Sequence, residues 1–108
     1  MIREIPMTGF RLSQPSLKVL RFFLDQPTQP RSGAEIGKAT RIFSGTLYPM
    51  LIRMEKSGWL TSRWEEVDPS VVGRPRRRFY QLTATGQKEA VNAFTELQVN
   101  VQAPSWAY

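Results

Sequence analysis

The chain has no cysteine and no histidine in its 108 residues. The first absence excludes disulfides and thiolate nucleophiles. Together they exclude Cys/His zinc sites, haem and iron–sulfur ligation, and any imidazole base. No metal and no cofactor are therefore expected. No apolar run approaches the ~20 residues of a membrane span. The start, Met1-Ile2-Arg3-Glu4-Ile5-Pro6, lacks the apolar stretch of a signal peptide. Acidic residues are also few, nine Asp and Glu against fifteen Lys and Arg, for a net charge of +6. A basic domain points to an anionic partner, with nucleic acid ahead of an acidic membrane surface. Hydrophobic residues reach 41%, enough for one modest core and too much for a disordered chain.

Residues 1–11 carry little pattern and read as an arm. Ser13 is a candidate N-cap, and Pro15 suits the first turn of the helix that follows. Leu17, Leu20 and Leu24, with Val19 and Phe23, predict one apolar face over about 13–26. Pro27 and Pro30 end that helix. Ser32 and Glu35 have the spacing of a capping box, so a short helix of about 32–40 should pack Ala34, Ile36 and Ala39. A third helix opens at Ser44, with Leu47, Met50, Leu51 and Met54 as its apolar stripe and Gly58 just past its end. Pro49 lies inside it and removes one backbone bond. Alternation from Trp59 to Val67, with Leu60 and Trp64 on one face, predicts a strand. A second strand runs from Arg76 to Thr83, with Arg78, Tyr80 and Leu82 on one face. The segment between them, about 68–75, reads as a loop. Thr83 then caps a last helix of about 84–101, whose stripe is Ala90, Phe94, Leu97 and Val101. Residues 102–108 form a tail.

Three helices followed by a long-looped β-hairpin and a last helix is the plan of a winged helix-turn-helix, mainly α with a small hairpin. In that plan the third helix enters a major groove, and the hairpin reaches the backbone or the minor groove. Residues 12–83 would form the DNA-binding unit.

Two blocks of sequence sharpen this expectation. Gly45-Thr46-Leu47-Tyr48-Pro49-Met50-Leu51-Ile52-Arg53-Met54-Glu55-Lys56-Ser57-Gly58-Trp59-Leu60 resembles the third-helix signature of the PadR family of transcriptional regulators. Gly73-Arg74-Pro75-Arg76-Arg77-Arg78-Phe79-Tyr80-Gln81-Leu82-Thr83 resembles the wing of the same family. Trp64-Glu65-Glu66 and Gly86 fit as well, and the resemblance covers roughly residues 12–98. It carries a proline at position 49. Met54 departs from the usual leucine, a volume-conserving change, and Arg77-Arg78-Phe79 is more basic than usual. Few residues follow the wing, which resembles the short branch of the family with a single C-terminal helix.

Four arginines, Arg74, Arg76, Arg77 and Arg78, fall within five positions. Guanidinium binds phosphate bidentately, so the wing is a candidate phosphate contact; the competing account is a solvated hairpin with charges guarding an edge strand. Arg74 and Arg76 would have the best reach for a minor groove. The outer side of the third helix presents Thr46, Tyr48, Ile52, Arg53 and Lys56. The resemblance places Ser44, Thr46 and Tyr48 against DNA, with the Tyr48 hydroxyl on phosphate. A half-buried packing role for Tyr48 is the alternative. Arg53 suits guanine O6/N7 or a phosphate, unless it pairs with Glu55 or Glu66. Ser32 and Gly33 begin the second helix and could meet a phosphate through backbone N–H groups. Lys38 and Arg41 flank the turn as backbone contacts or solvated surface.

Ala90, Phe94, Leu97 and Val101 are assigned to a two-fold interface, against the alternative of packing on the first helix. Phe22, Phe23 and Trp106 would then line a pocket between subunits. The resemblance implies a homodimer on a near-palindromic operator, acting as a repressor in the cytoplasm on the nucleoid. It also implies release when a small effector, or another signal, changes the spacing of the reading heads. No catalytic constellation or nucleotide loop is present, so no enzymatic activity is expected. The rival class is a winged-helix interaction module that docks an acidic protein without reading bases.

Overall fold

The computed structural model describes residues 13–102, with side chains described through residue 97. The arm, residues 103–108 of the expected tail and with them Trp106 lie outside the described residues, as does the side chain of Val101.

Helix α1 (Gln14–Asp25) begins as the sequence predicts. The Ser13 hydroxyl accepts the Ser16 N–H, and Pro15 occupies the first turn, where its missing donor costs nothing. Its buried face is Ser16, Val19, Leu20 and Phe23. A two-residue strand, β1 (Arg31–Ser32), leads into α2 (Gly33–Thr40). Both halves of the capping box are formed: Ser32 Oγ accepts the Glu35 N–H at 3.0 Å, and the Glu35 carboxylate accepts the Ser32 N–H at 3.4 Å. Ala34 and Ala39, expected in the core, are exposed. Ile36 alone carries the apolar side of this helix, with Gly33 and Thr40 buried beside it. The helix is only about two turns long, too short for a wider stripe.

Helix α3 (Ser44–Lys56) buries Leu47, Met50, Leu51 and Met54, the stripe read from the sequence. Gly58 closes the turn after it with φ +82°. Strand β2 (Leu60–Trp64) and strand β3 (Arg78–Leu82) pair antiparallel, with Leu60 opposite Leu82 and Trp64 opposite Arg78. Both are shorter than predicted. Leu60 is buried, whereas Trp64, on the same face, projects beyond the core and is 57% exposed.

Two elements were not foreseen. Strand β1 adds to the free edge of β3, so the expected hairpin is a three-stranded sheet of order β1-β3-β2. Ser32 must be extended to cap α2, and that extended backbone is what pairs with Phe79. The expected loop contains a single turn, α4 (Pro69–Val72), capped by Asp68 and closed by Gly73 at φ +74°. Helix α5 (Ala84–Gln102) starts at Thr83, whose hydroxyl accepts the Gly86 N–H at 2.9 Å.

One core joins these parts. Leu20 and Phe23, Ile36, Leu47 and Leu51, Trp59, Tyr80, Leu82 and Ala90 belong to a single apolar cluster, with Phe94 packed on its rim. The helices α1–α3 and the sheet therefore hold α3 and the wing in fixed relation. No helix among the described residues is long and apolar enough to cross a membrane.

Candidate nucleic-acid interface

The stripe of α3 settles which side of it faces outward. With Leu47, Met50, Leu51 and Met54 buried, Ser44, Gly45, Thr46, Tyr48, Pro49, Ile52, Arg53 and Lys56 are exposed. Arg53 makes no ion pair with Glu55 or Glu66 among the described residues. Glu55 instead accepts the Ser62 hydroxyl at 2.6 Å and lies 3.9 Å from Arg78. Arg53 thus stands exposed and without an ion pair among the described residues, one turn from Lys56.

The start of α3 is open. Phe43 occupies the N-cap position and contributes no side-chain hydrogen bond. Its carbonyl accepts the Thr46 and Leu47 N–H groups, both at 2.9 Å. The Ser44 and Gly45 amides are left without a side-chain acceptor, the arrangement that favours an anion at a helix N-terminus. A Cβ at Gly45 would touch nothing within 4 Å. Among the described residues nothing fills that space, so an external group could approach the backbone closely.

The start of α2 is closed by comparison. Ser32 and Gly33, both candidate phosphate contacts, are buried. The Glu35 carboxylate already accepts the Ser32 N–H there, and Arg31 pairs with it at 2.7 Å. The Arg31 guanidinium also lies 4.6 Å from the Phe22 ring centroid. Tyr48 reaches across from α3 and lays its ring on Gly33; a Cβ there would collide with the Tyr48 hydroxyl and ring. Tyr48 combines both roles that its sequence allowed: it packs, yet remains 38% exposed.

The wing holds its arginines unequally. Arg74 donates to both Glu65 oxygens, at 2.8 and 3.0 Å, and the Arg77 N–H adds a third bond at 3.1 Å. These bonds hold the Glu65 carboxyl down at about 2, with the Arg74 contact the largest cause. Arg74 is raised in turn by the same pair. Arg76 donates its Nε to the Val67 carbonyl at 2.9 Å. Arg78 stacks over the Trp64 ring at 4.9 Å. Arg77 alone of the four is exposed with a side chain that makes no hydrogen bond or ion pair among the described residues, its charge reaching Glu65 only through space. Arg63 on β2 is exposed in the same way. Arg74 and Arg76, chosen from sequence for their reach, are therefore braces of the wing. Glu65 was missed as the anchor of Arg74; its place beside Trp64, opposite Arg77 once the strands pair, was the available signal.

These elements converge. A groove of about 460 Å³ is lined by Ser32, Gly33, Tyr48, Trp64, Tyr80 and the wing from Arg74 to Arg78. It brings together the start of α2, the α3 tyrosine and all four wing arginines. Arg41 lies apart, exposed at the end of α2 in the left-handed conformation at φ 61°. Among the described residues no group of acids could hold a metal ion.

On α5, Ala90 is fully buried in the protomer's own core and Phe94 packs against it. Neither offers its main area to a second copy. Among the described residues, Val91 and Leu97 are the exposed large apolar side chains of this helix, at 47% and 42%. They line a groove of about 560 Å³ with Arg21, Leu24 and Phe94.

Three helices, a three-stranded sheet and a braced wing define a winged helix-turn-helix protein. Residues 28–92 match the transcriptional regulator PadR-like family, and the chain belongs to that family. No curated protein sequence matches the chain. Among solved structures, a transcriptional regulator homologue from Pyrococcus horikoshii OT3 superposes with a TM-score of 0.72 at 18% identity, covering 94% of this chain and 95% of that one. A PadR family transcriptional regulator from Eggerthella lenta DSM 2243 gives 0.65 at 23% identity, covering 81% and 78%. Reduced AbfR bound to DNA gives 0.63 at 26% identity, covering 84% of this chain and 58% of that one; AbfR is also solved from Staphylococcus epidermidis.

Proposed function

We propose that this PadR-like regulator binds double-stranded DNA sequence-specifically as a homodimer and represses by occluding a near-palindromic operator. The observation that carries this reading is the groove that sets Tyr48 of α3 against the wing from Arg74 to Arg78, on a helix whose Ser44, Thr46 and Arg53 are exposed. Two copies of α3 would enter successive major grooves about 34 Å apart. Ser44, Thr46 and Tyr48 meet phosphate at the start of the helix, and Arg53 and Lys56 lie further along it. Arg77 and Arg63 supply the wing's free charge, while Arg74, Arg76 and Arg78 shape it. The relatives solved with DNA support this reading by likeness alone.

Residues 12–83 would be the DNA-binding unit, and residues 84–101 the dimerisation helix. Val91 and Leu97 present the apolar surface for a second copy. The α1–α5 groove would then lie at that interface, where a small apolar effector could change the spacing of the two reading heads. The protein would act in the cytoplasm, on the nucleoid.

Selection of bound duplexes from a random DNA pool at near-physiological salt tests the reading. It should enrich an inverted repeat with half-sites about one turn apart. Binding without enrichment that fades as salt rises would contradict it and favour a module that docks an acidic partner.

A further inference from the structure

The outward line of α3 carries almost no hydrogen-bonding side chain. Opposite the buried stripe stand Gly45, Pro49, Ile52 and Lys56, as the 3.6-residue repeat requires. Gly45 has no side chain and Pro49 no donor. Ile52 is apolar and 48% exposed. Thr46, Tyr48 and Arg53 lie to either side of this line. At the start of the helix Phe43 is 87% exposed, the most exposed large apolar residue described. Single exposed hydrophobics are ordinary on a protein surface. Ile52 lies on the outward line with Lys56 and near the exposed Arg53, and Phe43 stands at the N-terminal end of the same helix beside its open amides, so a polyanion drawn to that end and that face would lie against both.

We infer that Phe43 and Ile52 read thymine C5-methyl groups, so that part of the half-site is recognised by apolar contact. In the major groove the methyl is the one apolar mark that separates thymine from the other bases. A phenylalanine and an isoleucine can use that mark and no hydrogen-bonding edge. The flanking charges supply attraction to the backbone, which is indifferent to sequence. This inference rests on the DNA-binding reading above.

Replacing thymine by uracil removes the methyl and leaves every hydrogen-bonding group in place. The duplex selected from the random pool is resynthesised with uracil at each thymine in turn. Affinity is measured for the unaltered protein, Phe43→Ala and Ile52→Ala, with helicity checked for all three. At one or more positions uracil should weaken the unaltered protein by about fourfold, the worth of one buried methyl group. The same uracil should cost nothing further in the variant whose side chain read that methyl. An enriched site that tolerates uracil at every thymine would overturn the inference while leaving operator binding intact. So would a uracil penalty that persists undiminished in both variants. If no site is enriched, operator binding fails and the inference falls with it.

Discussion

The two helices of the turn begin in opposite ways. Helix α2 closes its own N-terminus: Ser32 and Glu35 exchange hydrogen bonds, Arg31 neutralises the carboxylate, and Tyr48 covers Gly33. Helix α3 has Phe43 where a cap would sit, and nothing among the described residues fills the space beside Gly45. A cap usually contributes about 1 kcal/mol, so a helix that lacks one forgoes stability at that end. The difference teaches which helix end is structural and which is free for a ligand. Sequence treated Ser32 and Ser44 alike as candidate contacts; the geometry gives the first a partner within the fold and leaves the second exposed.

The sharpest way to break this comparison is to cap α3. Phe43→Asp places an acid over the Gly45 and Thr46 amides of the first turn. DNA affinity should fall by roughly tenfold or more, since a carboxylate now competes with phosphate, while thermal stability rises by about 0.5–1 kcal/mol. A fluorescence-anisotropy titration paired with a melting curve reads both. A variant that binds as before would show that phosphate does not use this end. Gly33→Ala attacks the other end, where the new Cβ must displace the Tyr48 ring. It should cost about 1–3 kcal/mol in chemical denaturation, as overpacking does, and Tyr48→Ala in the same chain should recover part of that loss. Ser32→Ala should remove about 1 kcal/mol of stability yet leave DNA affinity within about twofold once the protein is folded. A large loss of affinity by the folded variant would return the start of α2 to the interface.

The smallest effect concerns the wing. The Glu65 carboxyl is held down at about 2 by Arg74 and the Arg77 N–H. A carboxylate depressed in the folded state contributes its stability above the ordinary carboxylate range, and loses it as pH falls through its own folded value. The brace should therefore be complete near neutrality and release only as pH approaches about 2. Carbon NMR of the Glu65 carboxyl should show that midpoint; titration near 4.5 would show that Arg74 is not tied down.

What sequence disclosed and what it hid divide by range. The capping box of α2, the Ser13 and Thr83 caps and the α3 stripe were all legible, because each depends on residues three or four apart. Strand β1 was not, since two residues carry no alternation, and the single turn of α4 hides between Pro69 and Gly73 as loop punctuation. The Arg74–Glu65 brace spans nine positions and exists only once β2 and β3 are in register. The same is true of Tyr48 on Gly33, a contact between separate helices. Four arginines counted along the chain looked like one charged prong. The fold spends three of them on Glu65, Val67 and Trp64, and leaves Arg77 facing solvent.

The central claim is that phosphate is met at the start of α3 and not at the start of α2. Titrating nitrogen-labelled protein with the selected duplex, and following backbone amide shifts, tests it most directly. The largest amide shifts should fall on Ser44 and Gly45, with those of Gly33 and Ala34 nearly still. Large shifts at Gly33 and Ala34, with Ser44 and Gly45 unmoved, would contradict the account.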